Sequence, residues 1–109
     1  MRTDAPIDHE GEGRNFCPTD LIATALGTCL LTVMGIKAKK EKWSLEGLKL
    51  EVDKQMSKLG PRKIDVLIIH VFTPSYLTDD QLKILKSEIK DCPVLRNIQG
   101  STNINLLWT

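Results

Sequence analysis

Three cysteines, at positions 17, 29 and 92, are the residues of this chain whose type and setting could do chemistry. The thiolate is the reactive form of a cysteine, so each is weighed by what would stabilise that charge. Cys92, in DCPVLRN, directly precedes a proline that can take the first position of a helical turn. A thiol there would lie among free N–H groups at the positive end of a helix, which lowers its pKa, and Arg96 one turn on would add charge. Serine, threonine, aspartate or asparagine would cap a helix better, so a cysteine here points to a second purpose. Cys17 has the same Cys-Pro context and reads either as a weak cap or as a third, exposed and oxidisable thiol. Cys29 lies in the middle of DLIATALGTCLLTVMG, residues 20 to 35. On local grounds it is an inert packing thiol, or a nucleophile whose thiolate must be stabilised by a cation or donor from outside its own helix.

Other chemistries find no support in the residues. There is no Cys-x-x-Cys pair, and His9 and His70 stand at no ligand spacing to the cysteines, so no structural zinc site is expected. His70 falls inside an apolar strand and reads as a core histidine. Serine-hydrolase and glycine-rich phosphate-loop motifs are missing. Fifteen basic and fourteen acidic residues leave a formal charge of +1, which gives no electrostatic case for nucleic acid or an anionic membrane. The uncharged run from Leu21 to Ile36 contains Thr24, Gly27, Thr28, Thr32 and Gly35, which suits a buried core helix better than a membrane span. The start, MRTDAPIDHEGEG, is polar and acidic and does not resemble a signal peptide. An odd, small number of cysteines argues against a secreted disulfide scaffold, and a cytoplasmic protein is expected.

The elements that must position these thiols follow from periodicity. A chain of 109 residues, 41% of them hydrophobic, makes one domain, 1–109, for which a partner subunit would add useful buried surface. Residues 1–16 read as an extended lead-in. Pro18 suits the first position of a helix running to about Lys40, with Asp20 near its positive end and the lysines of KAKKEK at its negative end. Leu21, Ala25, Cys29 and Val33 recur at i+4 and are expected to form its buried face. Leu48, Leu50, Val52 and Met56 alternate with Lys49, Glu51, Asp53 and Gln55 as a half-buried strand. Gly60-Pro61 marks a turn, and IDVLIIHVF, residues 64 to 72, reads as a strand covered on both faces. Thr78 opens a second helix with Gln81 in capping-box position and Leu82, Leu85 and Ile89 as its stripe. It stops near Asp91, where a short turn over Val94 to Ile98 follows with Cys92 as cap. Ile104, Leu106 and Trp108 alternate as a last strand. The order helix, strand, strand, helix, strand gives an α+β fold.

Taken together, FCPTDLIATALGTCLLTVMGIKA, LEGLKLEVDKQM, PRKI and LTDDQLKILKSEIKDCPV resemble the OsmC/Ohr family of thiol-dependent peroxidases, and more narrowly its OsmC-like branch. The resemblance implies an intertwined homodimer in which a central cysteine-bearing helix packs against a sheet and the partner's helix, with the family's usual N-terminal strands absent or shortened. It implies that Cys29 is the peroxidatic nucleophile and Cys92 the thiol that resolves it. Organic hydroperoxides would be the substrates and a dithiol of lipoyl type the reductant, and the resemblance implies no cofactor. In the family an arginine from the N-terminal strands stabilises the nucleophile and pairs with an acid. Only Arg2 and Arg14 precede the helix here; Arg14 is the candidate, with a solvated loop arginine as its alternative. The glutamate found ten residues before the nucleophile is Thr19 in this chain, so Asp20 stands in as the arginine's partner or else complements the helix dipole. The competing reading is a non-enzymatic OsmC-like dimer that binds a small ligand or senses redox state.

Overall fold

The computed structural model describes residues 17–109, so the lead-in 1–16, with Arg2, His9 and Arg14, lies outside the described residues. The elements are α1 (Pro18–Glu41), β1 (Lys49–Met56), β2 (Ile64–Phe72), α2 (Asp79–Glu88), α3 (Pro93–Ile98) and β3 (Asn103–Trp108), with a 3-10 turn, Ile89–Asp91, between α2 and α3. The α+β order expected from periodicity is therefore found, as helices packed against a small mixed sheet. Pro18 opens α1, where its missing N–H is not needed, and Lys42 ends it in the left-handed region, its N–H donating to the carbonyls of Ala38 and Lys39. At the start of α2, Thr78 and Gln81 form both halves of a capping box.

The sheet order is β1-β2-β3, with β1 antiparallel and β3 parallel to β2. Register aligns Leu50, Val71 and Trp108 across the three strands, then Val52, Ile69 and Leu106. Because side chains alternate, these residues and Leu67 share one face, and that face meets the helices. Leu26, Leu30 and Met34 of α1, Leu67 and Ile69 of β2 and Leu85 of α2 are all 0% exposed. Burying each such side chain stabilises the fold by about 1.5–3 kcal/mol. By length and composition alone α1 is apolar enough to cross a membrane; in the fold its buried stripe joins β2 and α2 in one hydrophobic core.

Three expectations are corrected here. The buried stripe of α1 is Ala23, Leu26, Gly27, Leu30, Met34 and Ala38, not Leu21, Ala25, Cys29 and Val33. Both sets have helical spacing, but the first carries the bulkier side chains onto the sheet, and Cys29 and Val33 are left half-buried on its flank. Strand β2 is covered on one face only among the described residues: Ile64, Leu67, Ile69 and Val71 are buried, while Val66, Ile68, His70 and Phe72 alternate with them at intermediate exposure. His70 is therefore no core histidine. Its Nε2 lies 2.7 Å from Thr109 Oγ1 and its ring stacks on Phe72.

Candidate active site

Cys29 and Cys92 are brought together although they come from opposite ends of the chain. Helix α1 holds Cys29 on its flank, and the break between the 3-10 turn and α3 delivers Cys92. The Cys92 N–H donates to Ile89 O at 3.1 Å and its carbonyl accepts from the Arg96 N–H at 3.0 Å. Its Sγ accepts from the Leu95 N–H at 3.5 Å, so the thiol does cap α3. The Cys92 thiol donates to Cys29 Sγ at a sulfur–sulfur distance of 2.7 Å, and both cysteines are free. Cys92 is 0% exposed, whereas Cys29 is half-buried. The arrangement is a reachable thiol backed by a concealed one, close enough to join by a single bond-forming step.

The electrostatics of Cys92 differ from the sequence expectation. Burial raises its pKa above the ordinary thiol value, and the hydrogen bond to Cys29 adds to the rise; the Leu95 N–H works the other way but is outweighed. A helix of six residues brings little dipole to set against desolvation. Arg96 does not supply charge to the sulfur either. Its guanidinium Nη2 pairs with Asp91 Oδ1 at 2.7 Å and its Nε donates to Lys90 O at 3.1 Å.

Cys17 fits neither of its two readings. Its side chain caps nothing, and at 4% exposure it is not a surface thiol. It belongs to a polar cluster organised by Lys54, whose Nζ donates to Asp20 Oδ1 at 2.7 Å, to Thr19 Oγ1 at 2.8 Å and to Cys17 Sγ at 3.3 Å. Thr19 Oγ1 also lies 3.1 Å from Cys17 Sγ. The Cys17 pKa is lowered, chiefly by the bond with Thr19; burial and the Asp20 carboxylate oppose the shift, while the Asp20 backbone and Lys54 assist it. Lys54 in turn holds the Asp20 carboxyl below its ordinary value. Lys54 was not singled out from sequence, yet a signal was there. It is the charged residue on the inward phase of β1, between Val52 and Met56, where the alternation demands an apolar side chain.

Asp20 does not join the Cys29 pair. Nine residues of helix are about two and a half turns, which puts Asp20 on the opposite side of α1 from Cys29 and roughly 13 Å along the axis. Its partner is a lysine and not an arginine. Arg14 lies outside the described residues. A groove of about 490 Å³ between α1 and β1, lined by Thr24, Gly27, Thr28, Leu31, Leu50 and Val52 with Asp20 and Lys54 among its walls, contains neither Cys29 nor Cys92. Among the described residues, no cluster of three or more His, Cys, Asp and Glu side chains could hold a metal ion.

Residues 11–107 match the family model described as OsmC-like protein. Among solved structures, the chain is similar to a protein of Psychrobacter arcticus 273-4 named as an osmotic stress induced and detoxification response protein. The identity is 36%, the TM-score 0.89, and the match covers 98% of this chain and 77% of that one. The fold is also that of the Legionella pneumophila organic hydroperoxide resistance protein OsmC, at 19% identity and a TM-score of 0.79, covering 97% of this chain and 78% of that one. The organic hydroperoxide resistance protein OhrB of Bacillus subtilis has it too, at 18% identity and a TM-score of 0.74, with coverage of 96% and 76%. No curated protein matches the chain.

Proposed function

The chain belongs to the OsmC-like protein family, and from that premise we propose that it is a cofactor-free, cysteine-based reductase of organic hydroperoxides acting in oxidative-stress defence. The observation that carries this reading is the 2.7 Å contact between a half-buried Cys29 and a fully buried Cys92. A Cys29 thiolate attacks the terminal oxygen of the hydroperoxide; the O–O bond breaks, the alkoxide leaves and is protonated to the alcohol, and Cys29 becomes a sulfenic acid. The Cys92 sulfur then attacks the Cys29 sulfur, the S–O bond breaks, water leaves, and a disulfide forms. A dithiol of lipoyl type restores both thiols by exchange, becoming a disulfide itself. Cys29 packs against the hydrophobic core, as Val33 one turn on does, and apolar surroundings favour alkyl hydroperoxides over hydrogen peroxide. The compartment proposed is the cytoplasm, where the resting thiols stay reduced.

The reading extends to a homodimer. The outward face of α1 exposes Ile22, Leu31 and Ile36, with Thr28, Thr32 and Gly35 between them. The Thr28 hydroxyl donates to Thr24 O at 2.8 Å and that of Thr32 to Thr28 O at 2.7 Å, so both hydroxyls are satisfied within the helix and need no partner from outside it. A second copy is the proposed occupant of this small-residue face. Thr28→Leu is expected to weaken the association by about 1–3 kcal/mol through overpacking, read by sedimentation.

The test of the activity is intact mass after one equivalent of cumene hydroperoxide, on the native chain and on Cys92→Ser. The expected result is loss of two hydrogens in the native protein and one added oxygen, mapped to Cys29, in the variant. If both chains stay fully reduced, the peroxidase reading fails and the non-enzymatic alternative takes its place.

A further inference from the structure

We propose that Arg96 is a positioning residue for Cys92, holding the sulfur in line for closure of the Cys29–Cys92 disulfide; this rests on the two-cysteine reading above. Arg96 makes three bonds around Cys92, and they fall on both sides of it. Its backbone N–H donates to the Cys92 carbonyl at 3.0 Å. Its side chain reaches back past the cysteine, Nε donating to Lys90 O at 3.1 Å and Nη2 to Asp91 Oδ1 at 2.7 Å.

The direction of that reach is informative. Arg96 sits in the last turn of α3, where a cation would complement the negative end of the helix. Instead the guanidinium folds toward the other end and binds the two residues immediately before Cys92. The only break in regular structure between α2 and α3 is at Cys92 itself, with ψ at 117° between the 3-10 turn and the helix. Free rotation at such a joint would swing the Cys92 sulfur relative to Cys29. A planar guanidinium with two bonds on one side of the joint and its own backbone on the other is suited to restrain it. The arginine acts by geometry and not by charge on the thiol, since Asp91 takes its charge and the Cys92 pKa is raised.

The ion pair is 64% and 66% exposed, so its effect is modest and screened by salt. Arg96→Ala is expected to slow disulfide closure about threefold. Formation of the Cys29 sulfenic acid should keep its native rate, and the acid should accumulate enough to be trapped by a 1,3-dione. Arg96→Lys should recover part of the loss, and Asp91→Asn should lie between native and Arg96→Ala. Raising salt should slow closure in the native chain and leave Arg96→Ala unchanged, a signature that a loss of general stability would not give. Native-like closure in Arg96→Ala at low salt would overturn the proposal. The comparison is repeated with glutathione disulfide, which closes the pair by exchange without any peroxide. There Arg96→Ala should shift the equilibrium toward the open dithiol about threefold, and an unshifted equilibrium overturns the proposal even if peroxide never reacts. Failure of the peroxidase reading is seen separately, as a native chain that peroxide leaves reduced.

Discussion

Cys17 and Cys92 are each followed by proline, and each stands at the N-cap of a helix. Their fates are opposite. Cys92 caps its helix and has its pKa raised; Cys17 caps nothing and has its pKa lowered. The helix start is the common factor, so it cannot be what sets the two thiols apart. The surroundings do that. Cys92 is pressed into the core against another sulfur, which favours the uncharged form, whereas Cys17 shares a lysine ammonium and a threonine hydroxyl, which favour the charged one. The thiol with the lowered pKa is thus remote from the sulfur pair, and what distinguishes the pair is its 2.7 Å contact.

The largest effect expected from this comparison is on turnover. Cys29→Ser should remove hydroperoxide consumption by at least about 10³-fold, as loss of a nucleophile does. Cys17→Ser should consume hydroperoxide at the native rate, because its sulfur lies on the Lys54 side of α1, away from the Cys29 pair. Peroxide consumption by the two variants under a dithiol reductant checks both. If Cys17→Ser is the inactive one, the assignment of roles is reversed and the comparison breaks.

A second prediction separates the two sides of α1 mechanically. Gly27 lets β1 approach the helix; a Cβ there would lie 3.0 Å from Val52 Cγ2 and 3.1 Å from Leu50 Cδ2. That close approach is what carries Lys54, two residues beyond Val52, over Cys17. Gly27→Leu should therefore cost about 1–3 kcal/mol in urea unfolding by pushing β1 outward. The Cys29–Cys92 contact depends on α1 against α3 and not on β1, so disulfide closure should keep its native rate. Equal damage to both would mean that the two regions are not independent.

Much of this arrangement was legible in the residues, and its failures are instructive. Capping at Thr78-Gln81, the Cys92 N-cap and the strand alternations are local patterns, and local patterns are enough to place the three helices and three strands, though not the 3-10 turn Ile89–Asp91 that ends α2 early. The buried face of α1 is ambiguous in the sequence because Leu21, Ala25, Cys29 and Val33 have the same spacing as Leu26, Leu30, Met34 and Ala38; only the position of the sheet chooses between them. The one-sided cover of β2 has the same origin, since an apolar run does not say how many layers lie against it. Lys54 is hidden in the sequence for a different reason. Its partners Cys17, Thr19 and Asp20 are far away in sequence, and a lysine breaking an apolar alternation declares its role only when the strand is laid on the helix. Arg96 looked like a charge for Cys92 because one turn of helix separates them, but spacing fixes where a side chain starts and not where a flexible one ends.

The smallest effect is the sharpest test of the opposite shifts, because it concerns sign. A thiol whose folded pKa is lowered contributes stability that is present above its ordinary value of 9.0 and lost as pH falls through the folded value. A thiol whose folded pKa is raised does the reverse: its contribution is present below 9.0 and lost as pH rises toward the folded value. Lys54 stays charged across this window. Burial works against its charge, but the bonds to Asp20 and Cys17 outweigh that cost and hold it above its ordinary 10.5. Melting temperatures under a reductant between pH 7 and 10 should therefore move in two directions. The advantage of the native chain over Cys17→Ser should grow with pH, and its advantage over Cys92→Ser should shrink. Two differences that moved the same way would mean that the helix start, which the two cysteines share, governs them after all.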